Sequence, residues 1–469
     1  MALKRIFNLG GVNTYVNPLL KRDGDFLYAI NVDSQPYGAK IKRSGYITFL
    51  GTADGSAPTT LFSWTKNDGT SLFVYRASGS SLYYSVQGTG AWTLCGNGTI
   101  SAGGHVGYAV LDDTLIIGDG VGSTRHTTNG TSFTDTTLAP VAEHFAQFQN
   151  KIYAGGTSST LFYSTTGTAS NWDTSISSSS LTIPGPGKIN MVRNINDRIV
   201  TSKNSGVMHR WDGYNLVDTS TKLGPSSPYS VGEAEGYHFW LNRLGIFGYG
   251  GGKPQLLSNA IQRQIYNDAG SAIVGSTFNT APGVVHRYNY YTAVGTATDD
   301  FTGKTIDNAI IKYDYQKNEF LDYTFANFPT AWHSFKDVDG IDQLIFGVSS
   351  GQCYKYGGTA TSDSGSAIES SMLLAVHLGD PEKEKKWYQL WAFFNPGCAA
   401  KIQIAVGDTY QNEFQNWQEI GNASSGILNV RFFQGTRGRL LFMKIYEASK
   451  DARFSFYGAV VDAEEIPVR

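Results

Sequence analysis

Cysteine is scarce: 469 residues hold three, Cys95, Cys353 and Cys398. Three scattered thiols exclude a disulfide framework and offer no spacing for a zinc site. They are expected as reduced, buried small hydrophobes, in keeping with assembly in a cytoplasm. Charge is scarce too, at 16% of residues, and the net charge of −2 lacks the basic excess of a phosphate-neutralising nucleic-acid binder. Such a surface is compatible with a wall along which DNA slides without sticking, and equally with no DNA contact at all. The opening MALKRIFNLGGVNTYVN has no apolar run for a signal peptide, and no later stretch nears the ~18 apolar residues of a membrane span. The glycosylation sequons at Asn97, Asn129 and Asn422 therefore carry little weight. Apolar residues at helical spacing are missing as well.

Aromatics (13%, with 27 Tyr and 26 Phe) and 54 glycines are abundant. This mixture fits many short strands joined by tight turns, because aromatics cover pleated surfaces and glycine supplies turn geometry.

Hairpin units recur along the chain. The first pairs Leu72–Tyr75 with Leu82–Ser85 and closes at Trp92, and the second runs from Leu115–Ile117 to Arg125–Gly130. The third joins Ile152–Ala154 to Leu161–Ser164 and closes at Trp172. The fourth joins Ile199–Thr201 to Val207–Trp211, and the fifth Tyr237–Leu241 to Gly245–Tyr249. A sixth, stretched by an insertion near 295–307, spans Tyr288–Tyr291 and Ile310–Tyr313. The seventh pairs Leu344–Gly347 with Cys353–Tyr356. Lone hairpins are marginal in water, and a spacing of roughly 37 to 54 residues favours four-stranded blades around an axis. From about residue 365 strands crowd together without that spacing, after a Ser-rich join at Ser362–Ser371. The expected architecture is all-β. An extended N-terminal arm (1–50) leads into a β-propeller of six or seven blades (51–362), and a C-terminal β-sandwich domain follows (363–469).

Candidate chemistry is thin. Asn129–Phe133 and Gly167–Trp172 resemble the Asp-box turns of sialidase-like propellers, which are structural. Arg125, Arg193, Arg210, Arg243 and Arg287 offer no signal of convergence into a carboxylate-binding cluster. Gly248–Lys253 fails as a phosphate loop, since Pro254 stands where Ser or Thr is needed and Phe247 where the first glycine belongs; it reads as a hairpin tip. His105, His126, His209 and His238 fall near blade strands, without metal-ligand spacing. Asp112–Asp113 and Asp299–Asp300 are acidic pairs in turns, lacking the alternation of a calcium loop. Glu382–Lys386 reads as a solvated loop. No catalytic, cofactor-binding or metal residue is nominated, no cofactor is expected, and the chain is read as a non-enzyme.

The N-terminal segment carries a specific pattern: Phe7 to Asn13, Asn17-Pro18-Leu19-Leu20, Asp23-Gly24, Ala29 to Val32, and Lys42 to Tyr46. It resembles the opening of bacteriophage tail propellers. Gly379-Asp380-Pro381, Lys385-Lys386-Trp387, Gly438-Arg439-Leu440 and Phe454 to Gly458 are similar to the C-terminal sandwich of tail hub or nozzle proteins of short-tailed phages. The resemblance implies a virion protein, assembled in the host cytoplasm, that forms a cyclic homo-oligomer, commonly a hexamer, below the portal and adaptor. It would serve as a platform for tail fibre or needle proteins and a conduit for genome ejection, with transient passage of double-stranded DNA. A propeller's own hole is too narrow for a duplex, so a conduit must lie between subunits. Two other functions compete: a carbohydrate-binding propeller that recognises host surface glycans by stacking on Trp92, Trp172 and Trp211, and a hydrolase, which lacks a catalytic constellation.

Overall fold

A computed structural model describes residues 2–467 except 16–20, 23, 52–53, 174–178, 221, 235, 268–269, 272, 274–276, 299–303, 381, 408–416 and 433–435. Asn17–Leu20, Asp23, Asp299–Asp300 and Pro381 of the sequence reading lie outside the described residues.

Six free-standing four-stranded sheets form the blades of a β-propeller, and each is an antiparallel meander. Five follow in chain order, with innermost strands Pro58–Thr65, Gly107–Leu111, His144–Phe148, Ile189–Asn194 and Gly232–Ala234. The sixth has Pro329–Lys336 innermost, and its outermost strand, Tyr46–Thr48, comes from the other end of the chain. Between the fifth and sixth lies a further meander, Gly283–His286 to Glu319–Thr324, which is not free-standing. It corresponds to the stretched sixth repeat unit, and the insertion there lengthens its middle strands, Asn289–Thr298 and Thr305–Asp314.

Local chemistry explains the blades. Second strands such as Leu72–Ser78 and Ile199–Lys203 are buried along their whole length, because neighbouring blades cover both faces. In three blades the first hairpin turns on two residues with positive φ: Asp112–Asp113, Gln149–Asn150 and Asn196–Asp197. That is the turn whose twist matches two antiparallel strands. Asp112–Asp113 is thus a hairpin tip, where Asp113 also accepts the Asn67 N–H at 3.0 Å.

The ends of the chain depart from an arm followed by a separate sandwich. Phe26–Ile30 lies between Glu319–Thr324 and Ser370–Val376, merging the meander with C-terminal strands into one nine-stranded sheet. A seven-stranded sheet is built on Lys385–Phe394, Ile427–Arg431 and Ser455–Glu465. Ala2–Ile6, Val32–Ser34, Lys40–Lys42 and the short Arg437–Gly438 complete it. Both sheets contribute to one buried cluster, with Met372 and Phe442 from the first and Leu390 and Val461 from the second. The strands Ala2–Ile6, Phe26–Ile30, Val32–Ser34 and Lys40–Lys42 are therefore integral to these sheets, and the expected arm, 1–50, also contains the outermost strand of the sixth blade, Tyr46–Thr48. The Glu382–Lys386 run divides as well. Lys385 is buried at the start of a strand, with its ammonium on the Asp380 carbonyl, while Lys383 pairs with Glu465 at 3.4 Å. Among the described residues no helix is long and apolar enough to cross a membrane.

Candidate functional site: a plugged channel and an N-terminal clamp

Innermost strands converge on an axial cavity of about 1020 Å³. His105, Glu143, His144, Arg193, Tyr229 and His333 line it, carried on the first strands of different blades or the segments just before them. Tyr229 enters from the short turn Pro228–Ser230 ahead of the fifth blade. Its ring stacks on His105, with centroids 3.3 Å apart, and its hydroxyl donates to Glu143 Oε1 at 2.5 Å. His105 precedes the second blade and Glu143 the third, so this side chain reaches from the fifth blade across the axial cavity to both.

Burial sets the protonation of the lining. It lowers His105 and His333 to about 4 and His144 to about 3, so all three imidazoles are neutral at pH 7. Burial, then Glu143, raise the Tyr229 phenol, which keeps its proton. The Arg193 guanidinium is held below its usual value by burial, and its hydrogen bond goes to the Val192 carbonyl at 3.1 Å. A neutral imidazole set with a protonated phenol suits hydrogen bonding and tight closure. The cysteines lie elsewhere, and burial pushes Cys95 and Cys353 up to about 12, where thiols are inert.

The other nominated residues are scattered. Arg125 pairs with Asp135 at 3.2 Å, and Arg210 donates to the Gly251 carbonyl at 2.8 Å, so of the five arginines weighed only Arg193 lines the channel. His126 bonds Thr136 Oγ1, His209 lies 2.7 Å from Asp218, and His238 lies 3.5 Å from Glu233. No group of three metal-binding side chains occurs among the described residues. Asn129 caps its turn by accepting the Thr131 and Ser132 N–H groups, while Phe133 is buried beneath. Gly250–Lys253 is the turn after Gly245–Tyr249, as expected of a hairpin tip. Trp172 is 1% exposed and donates to the Ala169 carbonyl, and Trp92 and Trp211 are half-buried. Burial excludes Trp172 as a stacking platform for sugars.

Residues of the N-terminal pattern form a clamp. Asn31 adopts φ 58° and accepts Arg43 Nε–H at 2.7 Å and the Thr324 N–H at 2.8 Å. Its amide donates to Thr324 Oγ1 and the Glu369 carbonyl, both at 2.7 Å. Arg43 grips both oxygens of Asp363 at 2.8 and 2.6 Å and lies 4.6 Å from the Phe325 ring centre. Three further ion pairs run alongside: Asp33 with Lys312, Lys40 with Glu319 at 3.0 Å, and Lys42 with Glu447. A Cβ on Gly45 would sit 2.0 Å from the Ser362 carbonyl oxygen, and one on Gly10 would sit 2.2 Å from Asp25 Oδ1. Close approach of backbone explains both glycines. Gly10–Asn13 with Asp25 and Lys317–Phe320 also line a second cavity, of about 910 Å³.

No protein-family model matches the chain, and no curated protein matches it. Among solved structures, it is similar to the WD40 domain of Pan2 from Neurospora crassa at 8% identity, over 68% of this chain and 95% of that one, with TM-score 0.43. BamB from Moraxella catarrhalis is similar at 9% identity, over 76% and 98%, with TM-score 0.39. The computationally designed Ika8 protein is similar at 12% identity, over 67% and 99%, with TM-score 0.41. The propeller itself rests on the strand order given above.

Proposed function

We propose that this chain is a structural subunit of a short phage tail, a hub or nozzle ring below the portal through which the genome leaves. The observation that carries the proposal is the clamp. Asn31, Lys42, Arg43 and Gly45, which belong to the pattern that resembles the opening of tail propellers, tie the N-terminal strands, the meander and the C-terminal sheets together through buried hydrogen bonds and ion pairs. Such cross-ties suit a load-bearing subunit. Tyr229, which reaches across the axial cavity, fits the same reading, because a propeller's own hole is too narrow for a duplex and any DNA passage falls to the space between subunits. Quantitative mass spectrometry of purified virions tests this. A copy number half that of the portal is expected, and absence of the chain from particles would remove the structural role.

A further inference from the structure

The outer face of the seven-stranded sheet carries an apolar patch around Phe7, Trp391, Phe393 and Ile427. Along Lys385–Phe394, the side chains of Trp387, Leu390, Ala392 and Phe394 are buried, while Trp391 and Phe393 point outward and are half-buried. Residues directly opposite on paired strands share a face. Trp391 stands opposite Asn429 and Val460, and Val460 opposite Arg5. Phe393 stands opposite Ile427 and Gly458. Gly458 has φ 140°, and a Cβ there would meet the Phe7 ring at 2.7 Å, so the glycine lets Phe7 lie across the strand beside Phe393, ring centres 5.6 Å apart. Phe7 is 44% and Ile427 53% exposed.

Planar polar groups sit in the next row. Gln389 is opposite Arg431 on one side and Asp462 on the other, and its amide donates to Asn429 Oδ1 at 2.5 Å. Asp462 is buried, yet its Oδ1 has no hydrogen-bond partner. A buried carboxylate oxygen left unpaired costs free energy that a hydroxyl donor recovers. Arg5 and Arg431 are exposed, and neither has a carboxylate within ion-pair distance among the described residues. They occupy opposite margins of the platform, three strand spacings across and two residues along, ~16 Å apart, with Trp391 between them.

We propose that this face binds an acidic polysaccharide, its sugar rings stacked on Trp391 and Phe393 and its carboxylates held by Arg5 and Arg431. Aromatic faces accept the C–H side of a pyranose, and a guanidinium matches a carboxylate in two-pronged geometry. Asp462 and Gln389 take the hydroxyls. The positive margins select an anionic chain over a neutral one. The site goes beyond the ring reading and stands apart from it, since a monomer presents the same face.

Affinity electrophoresis in gels cast with alginate, a polyuronate, or with neutral dextran tests the proposal. Alginate is expected to retard the protein at low salt, and dextran to leave it unmoved. Trp391→Ala and Arg431→Ala are each expected to weaken retardation at least fivefold. Arg431 is exposed, so its variant reports even if Trp391→Ala misfolds. Equal retardation by dextran, or unchanged retardation of both variants, would overturn the proposal. So would variants that keep alginate binding but sediment as smaller species than the parent, which would give the face to a second copy of the chain.

Discussion

Arg43 and Asp363, 320 positions apart in sequence, meet as a two-pronged ion pair that is almost wholly buried. The Ser-rich join expected as a domain boundary is pinned at this point to the residue that follows the strand Lys40–Lys42. Geometry of this kind is specific to a guanidinium.

Arg43→Ala leaves Asp363 buried without its partner, and breaking such a pair costs about 3–5 kcal/mol. Urea unfolding is the measurement. Arg43→Lys is expected to recover little, because one ammonium cannot serve Asn31, Thr324 and both oxygens of Asp363 together. A loss below about 1 kcal/mol for the alanine variant would contradict the clamp.

Gly45→Ala places a methyl 2.0 Å from a backbone oxygen that cannot swing away. Overpacking costs typically about 1–3 kcal/mol, and more when backbone must shift. A lowered melting temperature is expected, whereas Gly252→Ala, at a turn with open space around it, is expected to be neutral.

Removing residues 1–45 withdraws Ala2–Ile6, Phe26–Ile30, Val32–Ser34 and Lys40–Lys42 from two sheets. Exposed strand edges and the loss of core residues such as Phe26 predict aggregation. A soluble, monodisperse truncation in size-exclusion chromatography would restore the view of this segment as an appended arm.

Stability is expected to fall in mild acid. His144, His105 and His333 are neutral when folded, with values lowered to about 3, 4 and 4, whereas an unfolded histidine titrates near ~6.5. Below ~6.5 the unfolded chain binds protons that the folded one refuses, so this stabilisation is complete above ~6.5 and is lost as pH falls toward 4. The urea midpoint should drop across that window, and a His144→Gln variant should show a shallower drop. Equal slopes would show that His144 takes no part.

What the sequence made legible was local. Hairpin units at Leu72, Leu115, Ile152, Ile199, Tyr237 and Leu344 stood out because alternating strands and turn residues leave a short-range pattern, and the six free-standing blades contain them. Long-range pairing left no such trace. Nothing near Phe26–Ile30 tells that it will pair with Leu373 on one side and Asp322 on the other. The reach of Tyr229 was hidden for a related reason, since Pro228-Tyr229-Ser230 has the composition of any turn and only ring closure brings it to Glu143. Asp112–Asp113 held a usable signal: with Gln149–Asn150 and Asn196–Asp197 it marks two-residue hairpin loops between apolar strands.

The strand Tyr46–Thr48 completes the sixth blade beside Cys353–Tyr356, so on the ribosome it emerges long before its partner exists. At ~10 residues per second, the wait is on the order of half a minute. Throughout that interval Tyr46–Thr48 waits without its partner strand, and the first five blades can form without it. Synthesis order thus turns the last blade into a lock: the circle shuts only once Tyr356 is made, and a product cut short of that residue cannot close it.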